Sequence, residues 1–263
     1  MPELPEVERF RQYVAEAAQG KRFVSFSTEN EGRMLPQGIE KIKQDILGEK
    51  LVQTHRIGKY LFLEMGNGKV MMWHFGLTGD PVYYRAEEEK PRFARLVFGL
   101  DDGFSLALNC MRKFGRLKVA ESVADFQREN KLGVDAMEID SEAFYQALHK
   151  RKIAIKTALL DQKHFAGVGN WIADEMLYQA RIYPEVHCQH LDKKDFSRLH
   201  QLMQEIIQTA LDHGGVYQEF PPHFMVGHRW GDGLCPETGA ELVRIVVGGR
   251  GTFFSPPLQP QPN

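Results

Sequence analysis

The amino-terminal residues are the first that could carry out chemistry. Pro2 follows the initiator methionine directly, and removal of Met1 would leave a secondary α-amine on it. An α-amine titrates near about 8 and a lysine amine near about 10.4, so more of the α-amine is an unprotonated nucleophile at neutral pH. Such an amine can attack an electrophilic carbon and form an iminium ion. Proline is also well tolerated in the first turn of a helix, so a purely structural role stays open.

Two carboxylates lie close to Pro2 in the sequence. Glu3 is its neighbour and is placed to act as a general acid that then shuttles protons. Glu6 is a weaker candidate, for positioning Pro2 and a substrate. Acidic residues in a first helical turn also interact favourably with the helix dipole, so both have a structural alternative.

Four further polar residues lie where turns or strand ends would present them. Asn170 ends the segment Gly-Val-Gly-Asn before a predicted helix, where backbone amides and the helix N-terminus can bind a phosphate. Arg250 lies between glycines at the tip of a predicted hairpin and can place a guanidinium between phosphates. Lys59 lies at a strand entrance and His74 at a strand end. A solubilising lysine, a capping asparagine and a solvent-facing arginine are the structural alternatives.

The first half of the chain is predicted to be a helix followed by strands. Residues 3–19 have apolar residues at helical spacing, acids in the first turn and Gly20 at the end. From about 22 to 120 short β-type runs alternate with turn signals. Gly66-Asn67-Gly68 and Asp101-Asp102-Gly103 each separate two such runs, which predicts two hairpins.

After about residue 132 the pattern becomes helical. Ser141 is the predicted N-cap of one helix, a tight FAGVGN turn joins two more, and a long helix covers about 192–212. The segment ELVRIVV-GGRG-TFF predicts a hairpin with an arginine at its tip. These patterns together predict a strand-rich half followed by a helical half.

The composition limits the class of protein. Its 263 residues are 43% hydrophobic, enough for one large or two medium-sized domains. No run of about 18 apolar residues is present, which argues against a transmembrane helix. The acidic start of the chain is unlike a signal peptide, so we expect a cytoplasmic protein. Three widely spaced cysteines predict no disulfide framework.

The charge of the chain is nearly balanced overall but uneven along the sequence. The formal net charge of −2 does not by itself predict a nucleic-acid-binding protein. Basic residues concentrate in 111–118 and in 149–163, which includes Lys156, whereas acids concentrate in 84–91 and 120–145. A local basic face is compatible with DNA binding and equally with an ordinary solvated surface.

Several short motifs occur along the chain in one order. They are PELPEVE at the start, GKY at 58–60, HFGLTG at 74–79, RKFG at 112–115, LLDQ and AGVGNWIADE within 159–175, and GGRGTFFSP around Arg250. Together they resemble the formamidopyrimidine-DNA glycosylase/endonuclease VIII family over nearly the whole chain. The resemblance implies a base-excision repair DNA glycosylase with AP-lyase activity, which acts by a Schiff-base mechanism on oxidised or ring-opened bases in duplex DNA.

The resemblance also implies an α+β fold. We expect an N-terminal antiparallel β-sandwich with a catalytic N-terminal helix, then a helix-two-turn-helix domain with a zinc-less β-hairpin finger. The expected bounds are 1–131 for the sandwich, 132–140 for a hinge, 141–226 for the helical domain, 227–257 for the finger and 258–263 for a disordered tail.

Residue roles follow from the same resemblance. Pro2 is the expected nucleophile, with Glu3, Lys59 and Arg250 as further catalytic residues and Glu6 as a positioning residue. The expected DNA contacts are Lys59, His74, Lys156, Asn170 and Arg250. The expected residues that fill the void left by an extruded base are Leu77, Arg112 and Phe114. Leu77 stands where the formamidopyrimidine branch usually has methionine, a conservative change for a wedge.

The finger departs from the four-cysteine zinc site of most relatives. Only Cys235 is present, and Thr238, Ser255 and Leu258 stand where the other ligands would be. Nearby His228 offers at most a second ligand, so tetrahedral zinc is not expected and no metal or cofactor is predicted. We expect apolar packing to hold the hairpin instead, from Val243, Ile245, Val247, Phe253 and Phe254.

Some alternatives stay open on the sequence. A shortened segment before the finger leaves the choice among oxidised purines, ring-opened purines and oxidised pyrimidines unresolved. A non-catalytic DNA-structure-binding protein and an RNA-binding helix-two-turn-helix protein are the competing functions. The expected partner is damaged duplex DNA, bound by a monomer that has no contact with membranes.

Overall fold

A computed structural model describes residues 1–28 and 32–262 of the chain. Backbone contacts divide it into two compact units. Unit 1 contains Met1–Pro2 and Glu6–Leu132, and unit 2 contains Glu3–Pro5 and Gly133–Asn263. The division falls inside the segment 132–140, and whether this segment acts as a hinge stays a prediction. No helix among the described residues is both long and apolar enough to cross a membrane.

Unit 1 is built from strands that form two four-stranded antiparallel sheets. Its elements are α1 (Leu4–Ala18), β1 (Phe23–Thr28), α2 (Ile39–Ile46), β2 (Leu51–Ile57), β3 (Tyr60–Met65), β4 (Val70–His74), β5 (Gly79–Arg85), β6 (Ala94–Leu100), β7 (Phe104–Cys110), β8 (Arg116–Ala120) and α3 (Val123–Asn130). The first residues of α1 belong to unit 2. The sheet orders are β1-β6-β7-β5 and β2-β3-β4-β8. Both predicted hairpins are confirmed, as β3 with β4 and β6 with β7.

The core of unit 1 is made by inward-facing residues of both sheets and of α1. Trp73 of one sheet stacks on Phe98 of the other with ring centroids 5.6 Å apart, and Val7 and Val14 of α1 join the same cluster. Alternating apolar residues thus close a β-sandwich over one helix, which confirms the predicted architecture of this half.

Unit 2 is mainly helical. Its elements are β9 (Val134–Asp135), α4 (Ser141–Leu148), α5 (Ile155–Leu159), β10 (Phe165–Ala166), α6 (Asn170–Ala180), α7 (Lys193–Asp212), β11 (Val243–Val247) and β12 (Arg250–Phe254). Helix α6 is buried on nearly all sides, and α7 packs its apolar face onto the same core, with Phe196, Leu199 and Met203 fully buried. A helix buried all round needs apolar neighbours on each face, and this core supplies them.

The helix starts show one correction. The prediction that Ser141 caps α4 is wrong, because the N-cap is Asp140, whose carboxylate accepts a hydrogen bond from the nitrogen of Ala143 at 2.7 Å. Asp192 caps α7 and forms a reciprocal capping box with Asp195.

The predicted finger hairpin is confirmed as antiparallel strands β11 and β12. Gly248 and Gly249 make the turn with φ of 56° and 75°, a region that favours glycine. Val247, Phe253 and Phe254 are buried as predicted, but Val243 is 38% exposed, so the expected packing role of Val243 is wrong.

The prediction of a disordered tail over 258–263 is also wrong for its described residues. The side chain of Gln259 is fully buried and donates a hydrogen bond to the Ile182 carbonyl at 2.8 Å. The amide of Gln261 donates to the Tyr183 hydroxyl at 2.8 Å. Proline-rich composition predicted no packed structure, but two glutamine side chains supply fixed partners; Asn263 lies outside the described residues.

Candidate active site and DNA-contact residues

Glu3 is fixed at the start of helix α6 within unit 2. The residue is 2% exposed, and its carboxylate accepts hydrogen bonds from the backbone nitrogens of Trp171 at 3.0 Å and Ile172 at 3.3 Å. The first N–H groups of a helix lack partners within the helix, and the helix dipole favours a negative charge there. Glu3 therefore does the work of an N-cap for a helix that starts 167 residues later in the numbering.

Two glycines of the segment before α6 make room for this contact. A side chain at Gly169 would overlap the carboxyl group of Glu3, and one at Gly167 would lie 2.5 Å from Leu4. The backbone nitrogen of Leu4 also donates to the Gly167 carbonyl at 3.4 Å. Glu3 and Leu4, near the amino terminus, therefore pack directly against this glycine segment. The expectation that these amides bind a phosphate is wrong for those of Trp171 and Ile172, because Glu3 occupies them.

A cavity of about 370 Å³ in unit 1 is lined by three of the predicted residues, His74, Leu77 and Phe114. Met1, for which no role was predicted, also lines it. Its remaining lining is aromatic, apolar, amide or basic, and contains Arg33, Tyr60, Met72, Gly76, Arg116, Lys118, Phe126 and Asn130. Three of the lining residues, Arg33, Arg116 and Lys118, are cations, and no carboxylate among the described residues lines the cavity. The cavity therefore suits an anionic ligand such as a phosphate.

His74 is held as a neutral imidazole in this cavity. Burial lowers its pKa to about 4, and the positive charges of Lys59 and Arg116 act in the same direction. Its Nδ1 accepts a hydrogen bond from the nitrogen of Gly76 at 3.1 Å, so the ring proton is on Nε2. His74 can therefore offer a hydrogen bond to a ligand but no positive charge at neutral pH.

The three predicted void-filling residues lie on two loops that touch each other. The guanidinium of Arg112 lies 5.4 Å from the ring centroid of Phe114. Gly76, next to Leu77, has so little space that an added side chain would lie 2.5 Å from the Phe114 backbone. Phe114 is 39% exposed, although it is a large apolar residue. An exposed aromatic ring beside an arginine, in a cavity that a leucine also lines, is the kind of group that can enter a gap in a base stack.

Lys59 and Glu6 are both largely buried in unit 1. Lys59 is 8% exposed and follows Gly58, which has a φ of 54°, in the turn between β2 and β3. Glu6 is 6% exposed on helix α1. Neither residue lines the cavity, and their roles in positioning stay predictions.

Asn170 and Arg250 are brought together through the backbone of Gly251. The amide of Asn170 donates to the Gly251 carbonyl at 2.9 Å, while the neighbouring Arg250 is exposed at the start of β12. Asn170 is the first residue of α6 and its side chain does not cap the helix. One hydrogen of its NH₂ group remains for a further acceptor.

Lys156 does not lie on the surface, and its predicted direct contact with DNA is wrong. It is fully buried, forms an ion pair with Asp174 at 2.6 Å, and donates to Thr252 Oγ1 at 2.6 Å and to the Gly251 carbonyl at 3.1 Å. An ammonium enclosed in this way cannot reach a phosphate, so Lys156 supports the strand that carries Arg250.

Sequence reasoning missed the partner of that lysine. Asp174 lies in the same helix as Asn170, is 1% exposed and also accepts hydrogen bonds from the Phe253 nitrogen and Arg229, both at 3.3 Å. The sequence did contain a signal for a buried ion pair. Two adjacent acids, Asp174 and Glu175, interrupt an apolar helix, and buried carboxylates need partners.

The finger does not offer the ligands of a zinc ion. The buried Cys235 has its Sγ 3.5 Å from the Tyr178 hydroxyl, and Thr238, Ser255 and Leu258 supply neither thiolate nor imidazole. His228 is engaged by Asp232 and by a backbone carbonyl. No group of three or more His, Cys, Asp or Glu side chains among residues 1–28 and 32–262 could hold a metal ion.

Comparison with known proteins gives one consistent result. The chain matches the family models described as the Formamidopyrimidine-DNA glycosylase N-terminal domain, over residues 1–117, and the Formamidopyrimidine-DNA glycosylase H2TH domain, over residues 132–220. Formamidopyrimidine-DNA glycosylase of Arabidopsis thaliana is 31% identical, with 98% of this chain and 71% of the relative covered. That of Streptococcus mutans is 32% identical, with 99% and 100% covered.

A solved structure has the same fold as this chain over its whole length. The formamidopyrimidine-DNA glycosylase of Lactococcus lactis, solved non-covalently bound to DNA containing an AP site, is 28% identical and superimposes with a TM-score of 0.89. The superposition covers 99% of this chain and 100% of that one. This chain is therefore a member of the formamidopyrimidine-DNA glycosylase family.

Proposed function

We propose that this protein is a base-excision repair DNA glycosylase with AP-lyase activity, which removes oxidised or ring-opened bases from duplex DNA through the amine of Pro2. The position of Glu3 carries the proposal. This residue is adjacent to Pro2 and its carboxylate is fixed by two backbone N–H groups of α6. A fixed carboxylate next to a secondary α-amine provides a nucleophile with a proton carrier beside it.

The first step is displacement of the damaged base. After removal of Met1, the Pro2 nitrogen attacks C1′ of the lesion nucleotide, and the bond from C1′ to the base breaks. Glu3 takes the proton that the amine loses and passes it to the ring oxygen, which opens the sugar and leaves an iminium ion between C1′ and Pro2. The departing base takes up a proton, so charge balances over the step.

The second step is cleavage of the DNA strand. The iminium ion withdraws electrons and acidifies the C2′ hydrogen, so its removal expels the 3′ phosphate by β-elimination. A δ-elimination expels the 5′ phosphate in the same way, and water then hydrolyses the iminium and returns the free amine. No cofactor or metal is needed, because the iminium itself is the electron sink.

DNA binding is proposed for side chains of both units. In unit 1, Lys59 supplies a positive charge and neutral His74 supplies the Nε2 hydrogen to backbone phosphates. In unit 2, the exposed Arg250 and the second amide hydrogen of Asn170 supply phosphate contacts.

Base extrusion is assigned to the touching loops of unit 1. Leu77, Arg112 and Phe114 fill the gap in the stack, and Glu6 helps to position Pro2. The protein is proposed to act on DNA as a monomer in the cytoplasm.

An incision assay on defined duplexes tests the proposal. Duplexes that carry an abasic site, 8-oxoguanine or an oxidised pyrimidine are compared with undamaged DNA, using the full chain and its Pro2→Gly variant. The proposal expects cleavage of damaged duplexes and a lower rate for Pro2→Gly, which keeps only a primary amine. Binding of the damaged duplexes without base release or strand cleavage would contradict it and favour a non-catalytic DNA-binding protein.

A further inference from the structure

We propose that Gln259 is a positioning residue for Arg250, and that its buried amide fixes the base of the finger hairpin where most relatives are expected to use a metal ion. The inference rests on the proposed function, since it concerns how the DNA-contacting arginine is held. Gln259 lies only one residue after Leu258, which stands at the place of a lost zinc ligand.

Both polar atoms of the Gln259 side chain are used inside the protein. Its Oε1 accepts a hydrogen bond from the backbone nitrogen of Ser255 at 2.9 Å, and its Nε2 donates to the Ile182 carbonyl at 2.8 Å. Gln259 and Ser255 are fully buried. An apolar residue at 259 would leave one backbone donor and one acceptor buried without these partners, which is costly.

The two hydrogen bonds join the end of the hairpin to the end of helix α6. Ser255 directly follows β12, and Ile182 follows the C-cap of α6, Arg181. The backbone nitrogen of Gln259 also donates to the Ser255 carbonyl at 2.9 Å, so the segment 255–259 forms a closed turn. One amide side chain therefore bridges the turn to the helix, as a metal ion bridges two cysteine pairs.

Apolar packing completes the link in place of the lost ligands. Cys235 and Phe253 are buried with Tyr178 and Met225, and Leu258 packs against this cluster. Phe254 packs edge-on against Tyr183 with ring centroids 5.2 Å apart.

Strand β12 is consequently held at both ends. The carbonyl of Gly251 accepts hydrogen bonds from Asn170 and Lys156, and Ser255 is held by Gln259. Arg250 is exposed immediately outside the first of these points. Loosening the far end leaves β12 held by the hydrogen bonds at Gly251, Thr252 and Phe253. The strand then has one fixed point fewer, so the arginine spends less time in the geometry that binds a phosphate.

The test uses Gln259→Met, which keeps the length of the side chain and removes both hydrogen bonds. Gln261→Met is the matched control, because Gln261 is exposed and its side-chain amide donates to the Tyr183 hydroxyl and not to the backbone of the hairpin. Affinity for an abasic duplex is measured for each variant with and without Arg250→Ala. Gln259→Met is expected to weaken binding by about ten-fold in the chain with Arg250, and to have little further effect once Arg250 is absent. Gln261→Met is expected to bind as the unchanged protein does.

Two results would overturn the inference. One is unchanged affinity of Gln259→Met, and the other is an equal loss with and without Arg250, which would mean a general structural role. Should Gln259→Met fail to fold, the shorter Gln259→Asn is measured in the same way, with and without Arg250→Ala. Its loss of DNA affinity is again expected to depend on Arg250. A loss that is equal with and without Arg250 would again overturn the inference.

Metal analysis of the purified protein tests whether the finger is held by Gln259 and apolar packing or by a bound zinc ion. Mass spectrometry is expected to find no stoichiometric zinc, and a chelator is expected to leave DNA affinity unchanged; bound zinc whose removal abolishes binding would overturn the inference. If the unchanged protein cleaves no damaged duplex, the proposed function fails, whereas active protein without Gln259–Arg250 coupling refutes only this inference.

Discussion

Gly169 leaves open the space that the carboxyl group of Glu3 occupies. A methyl group at Gly169 would overlap that carboxyl group, and the φ of −120° and ψ of −161° at Gly169 are extended values that alanine also adopts. The glycine is therefore needed for space and not for backbone conformation. This relationship allows the role of Glu3 to be tested without changing Glu3 itself.

Gly169→Ala is expected to displace Glu3 from helix α6 and to slow incision of an abasic duplex. General acid–base groups contribute roughly 10²–10⁴-fold to rates, so a loss of about 100-fold in single-turnover rate is expected. Gly227→Ala is the control, because a side chain there meets no atom within 4 Å. A Gly169→Ala protein that folds and incises at the original rate would contradict the assignment of Glu3.

His74 and Arg250 are expected to differ in how salt affects their variants. Arg250→Ala removes a charge, so it should weaken binding to all duplexes alike by about 1–3 kcal/mol and reduce the slope of log affinity against log salt by about 1. His74→Ala removes a neutral donor, because the pKa of His74 is about 4, and should weaken binding without changing that slope at pH 7.5. Titrations by fluorescence anisotropy at several salt concentrations measure both. A reduced slope for His74→Ala would show that the bound imidazole is charged.

Lys156 is expected to matter for stability and not for counterion release. Lys156→Met leaves Asp174 buried without its closest cation, and breaking such a pair costs about 3–5 kcal/mol. Urea unfolding should show this loss in the free energy of unfolding. Lys163→Met, at an exposed lysine of the same basic segment, should be nearly neutral. Equal stability of the two variants would be inconsistent with the buried pair.

Glu175 is expected to make stability fall as pH rises. Burial raises its pKa from 4.5 to about 7, against hydrogen bonds from Gln179, Met225 and Val226 that act to lower it. Between these pH values the folded protein holds a proton that the unfolded chain has lost, so the free energy of unfolding decreases, by about 3 kcal/mol in total. Below this window both states are protonated, and above it both are ionised, so the contribution of Glu175 is constant on either side.

The Glu175→Gln variant cannot titrate and should lack this decrease. Urea unfolding between pH 4.5 and 8, expressed as the difference from the unchanged protein, isolates the contribution from that of other groups. Glu205→Gln, on the exposed face of α7, should give a flat difference. Parallel profiles for the unchanged protein and Glu175→Gln would refute the raised pKa.

Local sequence signals were sufficient for most of the elements. The Gly66-Asn67-Gly68 and Asp101-Asp102-Gly103 turns predicted two hairpins that the structure contains, because turn chemistry acts within a few residues. The helix that starts the chain, the long helix α7 and the finger hairpin were predicted from periodicity for the same reason. Where a neighbouring residue competed, as Asp140 did with Ser141, the boundary was wrong by one position.

Residues whose environment depends on distant partners were predicted less well. Lys156 and Lys163 look alike in one basic segment, yet only Lys156 meets a buried carboxylate, Asp174. Glu3 was identified as a chemical group, but its attachment to Trp171, 168 residues away, has no local signal. Gln259 shows the same limit, since a proline-rich composition gave no indication of its buried partners.

The most direct test of the central claim is borohydride trapping on a duplex with an abasic site, followed by mapping of the trapped peptide. We predict that Met1 is removed, and that the reduced adduct lies on the α-nitrogen of Pro2. Pro2→Gly is expected to be trapped more slowly. An adduct on a lysine such as Lys59, or no adduct from protein shown to lack Met1 and to bind the duplex, would contradict the assignment of Pro2 as the nucleophile.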